Sequence, residues 1–223
     1  MTAVFLQVRL DSSRLPRKAL ELLGERTVTE RCFDALAGVD ADRRVLVTEP
    51  DSAPELGPLA QNAGWEVFVG SKDDVLDRFV QAARSLACDT VVRATGDNPL
   101  VSAALANQLL HRHRELHSDY SGFVGAPVGT GVEVVGVSAL EKAWASSPDG
   151  YEREHVSPHL YRNPDRFSID RPEVPTGCWH PQGRVTLDTP EDMAYLRSLW
   201  EAVYRGAPPE VEDLIPWLSQ HPR

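Results

Sequence analysis

Apolar runs too short for a helix alternate with amphipathic stretches over the first half of the chain. Residues 3–8, 44–48, 65–69 and 90–94, rich in Val and Phe, are predicted strands. Between them Thr27-Val-Thr-Glu30 is a capping-box pattern opening a helix that runs to Ala37 and is stopped by Gly38. Ser71-Lys-Asp-Asp74 is a second such pattern, opening a helix over 75–86 with apolar residues at Val75, Leu76, Phe79, Ala82, Ala83 and Leu86. Strand and helix in alternation predict βαβ units, hence an α/β fold in which helices cover both faces of a mostly parallel sheet, three layers in all. The second half is less regular. Residues 132–137, 167–170 and 184–187 are strand candidates, and Ser138-Ala-Leu-Glu141 opens a short helix. Residues 172–183, with three prolines and two glycines, are expected to form a loop or flap. With no repeat, low-complexity tract or linker, residues 1–223 are expected to be one domain, with 150–183 the place for a small flap or dimerisation subregion.

Composition narrows the partners. The 223 residues, 42% hydrophobic and 25% charged, suffice to bury a core without staples. No apolar stretch approaches the ~20 residues of a membrane helix, and the start lacks the basic-then-apolar pattern of a signal peptide. A cytoplasmic chain with no membrane partner is expected. Cys32, Cys88 and Cys178 are too scattered for a disulfide framework or a CxxC metal site and are expected to be buried free thiols. A formal net charge of -10 argues against a nucleic-acid partner. Against that acidic background, QVRLDSSRLPRKAL at residues 7–20 sets Arg9, Arg14, Arg17 and Lys18 around Ser12 and Ser13, directly after the first strand. Such a loop implies a local, small and anionic partner.

In open parallel sheets, ligands collect just beyond the carboxyl ends of the strands. FLQVRLDSSR, VVRATGDNPL and RVTLDTPEDM each follow an apolar run with polar residues. If their strands are neighbours, Arg9, Ser12, Ser13, Arg14 and Lys18 face Asp97 and Asp188 across one crevice. That is the inventory for a nucleoside triphosphate with Mg²⁺: cations, hydroxyls and amides for phosphate, carboxylates for the hard cation. A carboxylate pair with no cation between its members would repel, so one should hold a proton or take a cationic neighbour such as Arg93. Plainer explanations stand beside these. Basic loops are often merely solvated, and Gly96-Asp97-Asn98-Pro99 is a good turn by itself. In Thr189-Pro-Glu-Asp192 the threonine serves as N-cap, Pro190 as first helical residue and Asp192 as reciprocal capping acid, which leaves Asp188 over. His111, His113 and His117 are taken as a solvated basic helix face rather than a metal site. Arg153-Glu154-His155 stands between a core histidine and a functional cluster. The apolar residues of 208–220 suit a helix closing the core and a candidate dimer surface. No Ser-His-Asp or Cys-His signature suggests a covalent enzyme intermediate.

The basic segment resembles the QARxxSxRLPGKxL signature of the cytidylyltransferases typified by spore coat polysaccharide biosynthesis protein F, which are similar to the synthases of CMP-activated acidic sugars. GSKDDVLDRF, VVRATGDNPLV, GVEVVGVSALEKA, EREHVSPHLYRNP and RVTLDTPEDM match the same family in order and spacing, so the resemblance covers nearly the whole chain. It implies a nucleotide-diphosphosugar-transferase-like, Rossmann-like fold. It also implies CTP as donor, Mg²⁺ as cofactor, a small sugar or sugar-acid acceptor, and release of pyrophosphate by in-line attack on the α-phosphorus. By position it makes Arg9, Ser12, Ser13, Arg14 and Lys18 the triphosphate cradle, and Asp97 and Asp188 the metal ligands. Arg14, Lys18 and Asp97 would be catalytic. Asp74, Arg78 and Arg93 fall on the nucleoside pocket, and Glu133, Arg153, Glu154 and His155 on the acceptor side. A homodimer is compatible with it. Two positions depart: Arg17 stands where the family usually has glycine, and Gly131 where it often has aspartate. Three alternatives stay open: a catalytically degenerate nucleotide-binding or scaffold protein, a cytidylyltransferase acting on a phosphonate or phospho-alcohol, and a glycosyltransferase of related fold, which would normally offer an Asp-X-Asp metal motif.

Overall fold

Alternate residues of β1 (Thr2–Gln7) part company. Val4 and Leu6 enter one apolar core, Ala3 and Phe5 the other, and all four are fully buried. A strand buried on both faces needs a layer above and a layer below, which is how its continuous apolar run leads to a three-layer sandwich. The computed structural model describes residues 1–146 and 149–223. After β1 come β2 (Leu22–Leu23), β3 (Arg26–Thr27), α1 (Val28–Leu36), β4 (Arg43–Thr48), α2 (Ala53–Asn62), β5 (Glu66–Val69), α3 (Val75–Leu86) and β6 (Thr90–Thr95). Then follow α4 (Ala103–Leu116), β7 (Tyr120–Gly122), β8 (Glu133–Gly136), α5 (Val137–Ser146), α6 (Gly150–His155), α7 (Pro158–Tyr161), β9 (Ile169–Asp170), α8 (Pro190–Val203) and α9 (Val211–Gln220).

The central sheet has the order β5-β4-β1-β6-β8-β7-β9, and β8 alone runs against its neighbours. α1, α2, α4, α8 and α9 cover the face that receives Val4, Leu46, Val92 and Val134. α3, α5 and the α6–α7 region cover the face that receives Phe5, Val45, Val91 and Val135. β1 pairs in parallel with both β4 and β6, with Gln7 opposite Thr95, so the loops after β1 and β6 leave the sheet side by side. Gly96 makes that closeness possible: a Cβ there would lie 2.6 Å from the Val8 side chain.

Several expectations hold and others need correction. The Thr27–Glu30 and Thr189–Asp192 capping boxes both form, and the three cysteines are free and buried. Residues 184–187 make no strand. Arg184 forms an isolated bridge to Val128, and the Leu187 N–H donates to the Asp97 carbonyl at 2.8 Å, because the segment lies against loops rather than a strand edge. The N-cap of α3 is Asp74, not Ser71, whose hydroxyl instead accepts from the Asp74 N–H. His113 is buried, not solvated. Its Nδ1 lies 2.9 Å from Ser121 Oγ, and burial pushes its pKa down to about 4, so it serves the core as a neutral ring. Residues 172–183 form a strap tied to 124–128 through Val124 N–H to Pro172 O, Val174 N–H to Val124 O and His180 N–H to Gly125 O. Gly125 has φ 91°, and a Cβ there would strike the Trp179 ring, so the strap closes only over glycine. No helix among the described residues is long and apolar enough to cross a membrane.

Candidate active site

The basic loop is suspended from its neighbours by polar contacts at its start. Thr48 Oγ1 donates to the Val8 carbonyl at 2.8 Å, and the Leu10 N–H donates to Ser52 Oγ at 2.8 Å. The Arg17 N–H returns to the Leu10 carbonyl, closing the loop on itself. A cleft of about 300 Å³ results, lined by Arg9, Ser12, Ser13, Arg14 and Lys18 on one side and by Asp97 and Asp188 on the other. Neither serine hydroxyl has a protein partner among the described residues, so both remain available to a ligand.

Lys18 joins the two sides. Its Nζ donates to Leu187 O at 2.6 Å and Asp188 Oδ1 at 2.9 Å, and lies 3.3 Å from Asp97 Oδ2. Two carboxylates 91 positions apart thus meet within reach of one cation. The neighbour expected to neutralise them, Arg93, is elsewhere: it pairs with Glu133 at 2.6 Å and donates to Gln7 Oε1. Lys18, Arg14 (3.0 Å from Asp188 Oδ1) and Arg184 (2.7 Å from Asp188 Oδ2) take that role. Asp97 is oriented by the Thr95 hydroxyl, which donates to its Oδ1 at 2.6 Å.

Asp188 in turn rests on Asp192. The Asp192 carboxylate accepts the N–H groups of Asp188 and Thr189, Arg184 Nη1 and Arg223 Nη2. Burial pushes its carboxyl up, but the Asp188 N–H, Arg223, the Thr189 N–H and Arg184 together hold it down at about 2, against an ordinary 3.8. A depressed carboxylate stabilises the fold above its ordinary pKa and loses that contribution as pH falls through 3.8 towards 2, here about 2 kcal/mol. Urea unfolding of wild type and Asp192→Asn should therefore differ clearly near neutral pH and converge in acid. A gap that stays constant with pH would contradict this.

The remaining residues named from the resemblance divide. Glu154 and His155 line the same cleft, Glu154 accepting from Arg9 Nη2 at 3.2 Å. Val156 behind them has φ 71°, ψ −62°, a strained γ-turn for a β-branched residue, with the Ser157 N–H donating to His155 O. It ends α6 where these two side chains face the cleft. Arg153 points away, to Asp74 Oδ2 at 2.7 Å and Trp144 O at 2.9 Å, while Asp74 Oδ1 caps α3. Neither lines the cleft. Arg78 is completely buried, its Nη1 donating to Ser71 O, with Nε and Nη2 unpartnered among the described residues. Burial pushes its pKa down. Glu133 and Arg93 line a larger, adjoining cavity of about 460 Å³ that shares Arg93 and Thr95 with the cleft.

Arg17 has φ 60°, ψ 24°, the left-handed conformation that costs a non-glycine residue about 1–2 kcal/mol. Glycine would take this conformation without that cost. The Arg17 side chain turns outward onto Glu55, its Nη1 donating at 2.8 Å. Arg17→Gly is expected to leave turnover within a few-fold and the melting temperature unchanged or slightly raised. A large loss of turnover in the steady-state assay would show that Arg17 serves the ligand. At Gly131 nothing lies within 4 Å of where a Cβ would stand, so a longer side chain would fit there. Against the expectation that the chain lacks an Asp-X-Asp triplet, Asp40-Ala41-Asp42 is one, but it precedes β4 at the opposite end of the sheet from the cleft, with Asp42 accepting the Thr2 N–H at 2.7 Å.

Sequence reasoning missed Thr95 and Arg184 as supports and gave Asp192 only as the capping acid of α8. Arg184 left a signal, standing four residues ahead of Asp188 in RVTLD.

A basic loop facing two carboxylates beyond the strand ends of a mostly parallel, doubly covered sheet defines a nucleotidyltransferase. The sequence pattern of the Cytidylyltransferase family matches residues 3–207, and this chain belongs to that family. It is 30% identical to spore coat polysaccharide biosynthesis protein SpsF of Bacillus subtilis, over 97% of this chain and 93% of that protein. It is 38% identical to the 3-deoxy-manno-octulosonate cytidylyltransferase of Chlorobium luteolum over 46% of this chain and 41% of that enzyme. The solved structure of a cytidylyltransferase from Leptospira borgpetersenii superimposes with a TM-score of 0.90 at 25% identity, covering 98% of this chain and 94% of that one.

Proposed function

We propose that the chain transfers a cytidylyl group from CTP to an oxygen of a sugar or sugar acid, with release of pyrophosphate, in the synthesis of a surface polysaccharide or other glycan. The observation that carries this is the meeting of Arg14, Lys18, Asp97 and Asp188 at one end of β1 and β6. The names of the SpsF and 3-deoxy-manno-octulosonate relatives supply the polysaccharide and sugar-acid direction.

A magnesium ion suits the donor set. Two carboxylates converge on one cationic position, leaving other coordination to phosphate and water, as this hard, octahedral ion prefers. Asp97 and Asp188 would hold it, and when bound it supplies positive charge at the reacting phosphate. The protein's own part is positioning. Arg9, Ser12, Ser13 and Arg14 grip phosphate oxygens with charge-assisted hydrogen bonds, and Lys18 and Arg14 offset the charge on departing pyrophosphate. An acceptor oxygen attacks the α-phosphorus in line as the bond to the bridging oxygen breaks, with no covalent enzyme intermediate.

Pyrophosphate release measured with CTP, UTP, ATP and GTP, Mg²⁺ and a panel of sugars and sugar acids tests the reaction. CTP is expected to be the preferred donor by at least about tenfold in calorimetric affinity, or about 1.4 kcal/mol. Tighter binding of a purine triphosphate by the same margin would overturn the base assignment while leaving the phosphate site standing.

A further inference from the structure

Asp192 spends one oxygen on the turn after Leu187 and the other on two arginines. Its Oδ2 accepts the N–H groups of Asp188 at 2.7 Å and Thr189 at 2.8 Å, and the second of these closes the capping box of α8. Its Oδ1 accepts from Arg184 Nη1 at 2.8 Å and Arg223 Nη2 at 2.6 Å. The cap needs neither arginine. Aspartate side chains mostly stay in water, whereas this one is 3% exposed, and a charge so buried is costly unless it is paired.

Arg184 has a second duty. Its Nη2 holds Asp188 Oδ2 at 2.7 Å, so one guanidinium spans both aspartates. Arg223 is the other cation on Asp192 among the described residues, and it comes from beyond residue 207, where the match to the family pattern ends. The segment after α9 is built to deliver it. His221 folds back on that helix, its N–H donating to Trp217 O at 3.1 Å and its ring stacked on Trp217 at 4.1 Å. The Tyr195 hydroxyl of α8 donates to His221 O at 2.8 Å, and the Arg223 guanidinium lies over the Tyr195 ring at 4.5 Å. Tyr195 therefore holds both the backbone and the side chain that reach Asp192.

We infer that Arg223 is a positioning residue for the cleft: by fixing Asp192 it fixes the backbone of Asp188 and, through Arg184, its carboxylate, in the place where a divalent cation would be held. A carboxylate left free to swing costs metal affinity, because it must be ordered when the ion binds. Without Arg223, Arg184 is the sole cation for Asp192 and is shared between two carboxylates. Arg223 itself does not line the cleft. The ion and the nucleotide are those of the proposed cytidylyl transfer, on which this role rests.

Metal affinity and amide exchange test the role apart from turnover. Wild type, Arg223→Gln, Arg223→Lys and Tyr195→Phe are titrated with CTP and Mn²⁺, an octahedral stand-in for Mg²⁺, followed by water-proton relaxation, and with CTP and a chelator, followed by calorimetry. The Mn²⁺·CTP complex is expected to bind about tenfold more weakly to Arg223→Gln, the low end for a partner behind a metal ligand, while metal-free CTP binds as it does to wild type. Arg223→Lys should recover part of the loss, and Tyr195→Phe should show a smaller one. Hydrogen exchange of the Asp188 and Thr189 N–H groups should quicken several-fold in Arg223→Gln, with the middle of α8 unchanged. Arg197→Gln breaks an ion pair between α8 and Glu21 outside the cleft and should leave both measurements at wild-type values. Equal Mn²⁺·CTP affinity in wild type and Arg223→Gln, an equal loss with and without the metal, or a like loss in Arg197→Gln would each overturn the inference and leave the proposed function standing. A metal-specific loss recovered in Arg223→Lys, in a protein whose wild type releases no pyrophosphate from CTP with any acceptor, would overturn the proposed function and leave this role standing.

Discussion

Asp97→Asn and Asp188→Asn are each expected to lower Mg²⁺-dependent pyrophosphate release by about 10²-fold or more, the scale of losing one preorganised electrostatic contact to the transition state. Both side chains are partly buried and held in place. The Thr95 hydroxyl orients Asp97, and Arg14, Lys18 and Arg184 surround Asp188. Asparagine preserves size and one of the two acceptor oxygens, so circular dichroism should stay near wild type while the charge that would hold a divalent cation is lost. Because both carboxylates serve one ion, the double variant should be little worse than either single one. A folded single variant with unchanged Mg²⁺-dependent turnover would defeat the claim that the two act together.

Lys18→Ala should reduce turnover by more than an order of magnitude, consistent with losing charge-assisted contacts of about 1.5–3 kcal/mol. Its Nζ is the only group that touches Asp97, Asp188 and the Leu187 carbonyl at once among the described residues. Removing it takes a cation from two carboxylates that would then repel, as well as from the phosphates the loop is proposed to bind. Lys18→Met keeps the stem and its packing, so it isolates the charge. If both variants lose kcat while the KM for CTP changes little, the lysine acts on the transition state. A rise in KM that accounts for the whole fall in kcat/KM, with kcat unchanged, would place it in ground-state nucleotide binding. Wild-type turnover in a folded Lys18→Met protein would sink both assignments.

Much of the fold was readable because local chemistry and tertiary outcome agree. The strands at 3–8, 44–48, 65–69 and 90–94 appear as β1, β4, β5 and β6 with small shifts at their ends. α2 was not readable, since Pro54 and Pro58 suggest a loop, yet burial of Leu56 and Ala60 sustains a helix there. β7 and β9 are too short to carry a pattern and exist only as partners within the sheet. The candidate site was half readable. Its basic loop and both aspartates stood out as charges following apolar runs. Asp74 and Arg153, equally conspicuous, turn to each other and to α3 instead of the cleft.

The sequence by itself determined the three-layer architecture, because runs of apolar residues with period two or 3.6 can be buried in few ways. It determined both capping boxes, because each is closed by residues three apart. Only the tertiary structure decided which charges meet. That Lys18 joins Asp97 to Asp188 and that Arg93 is spent on Glu133 depends on strand order and on the course of residues 184–188 past the end of β6. Ion pairing acts over a few ångströms between residues far apart in the chain, so no local pattern can encode it.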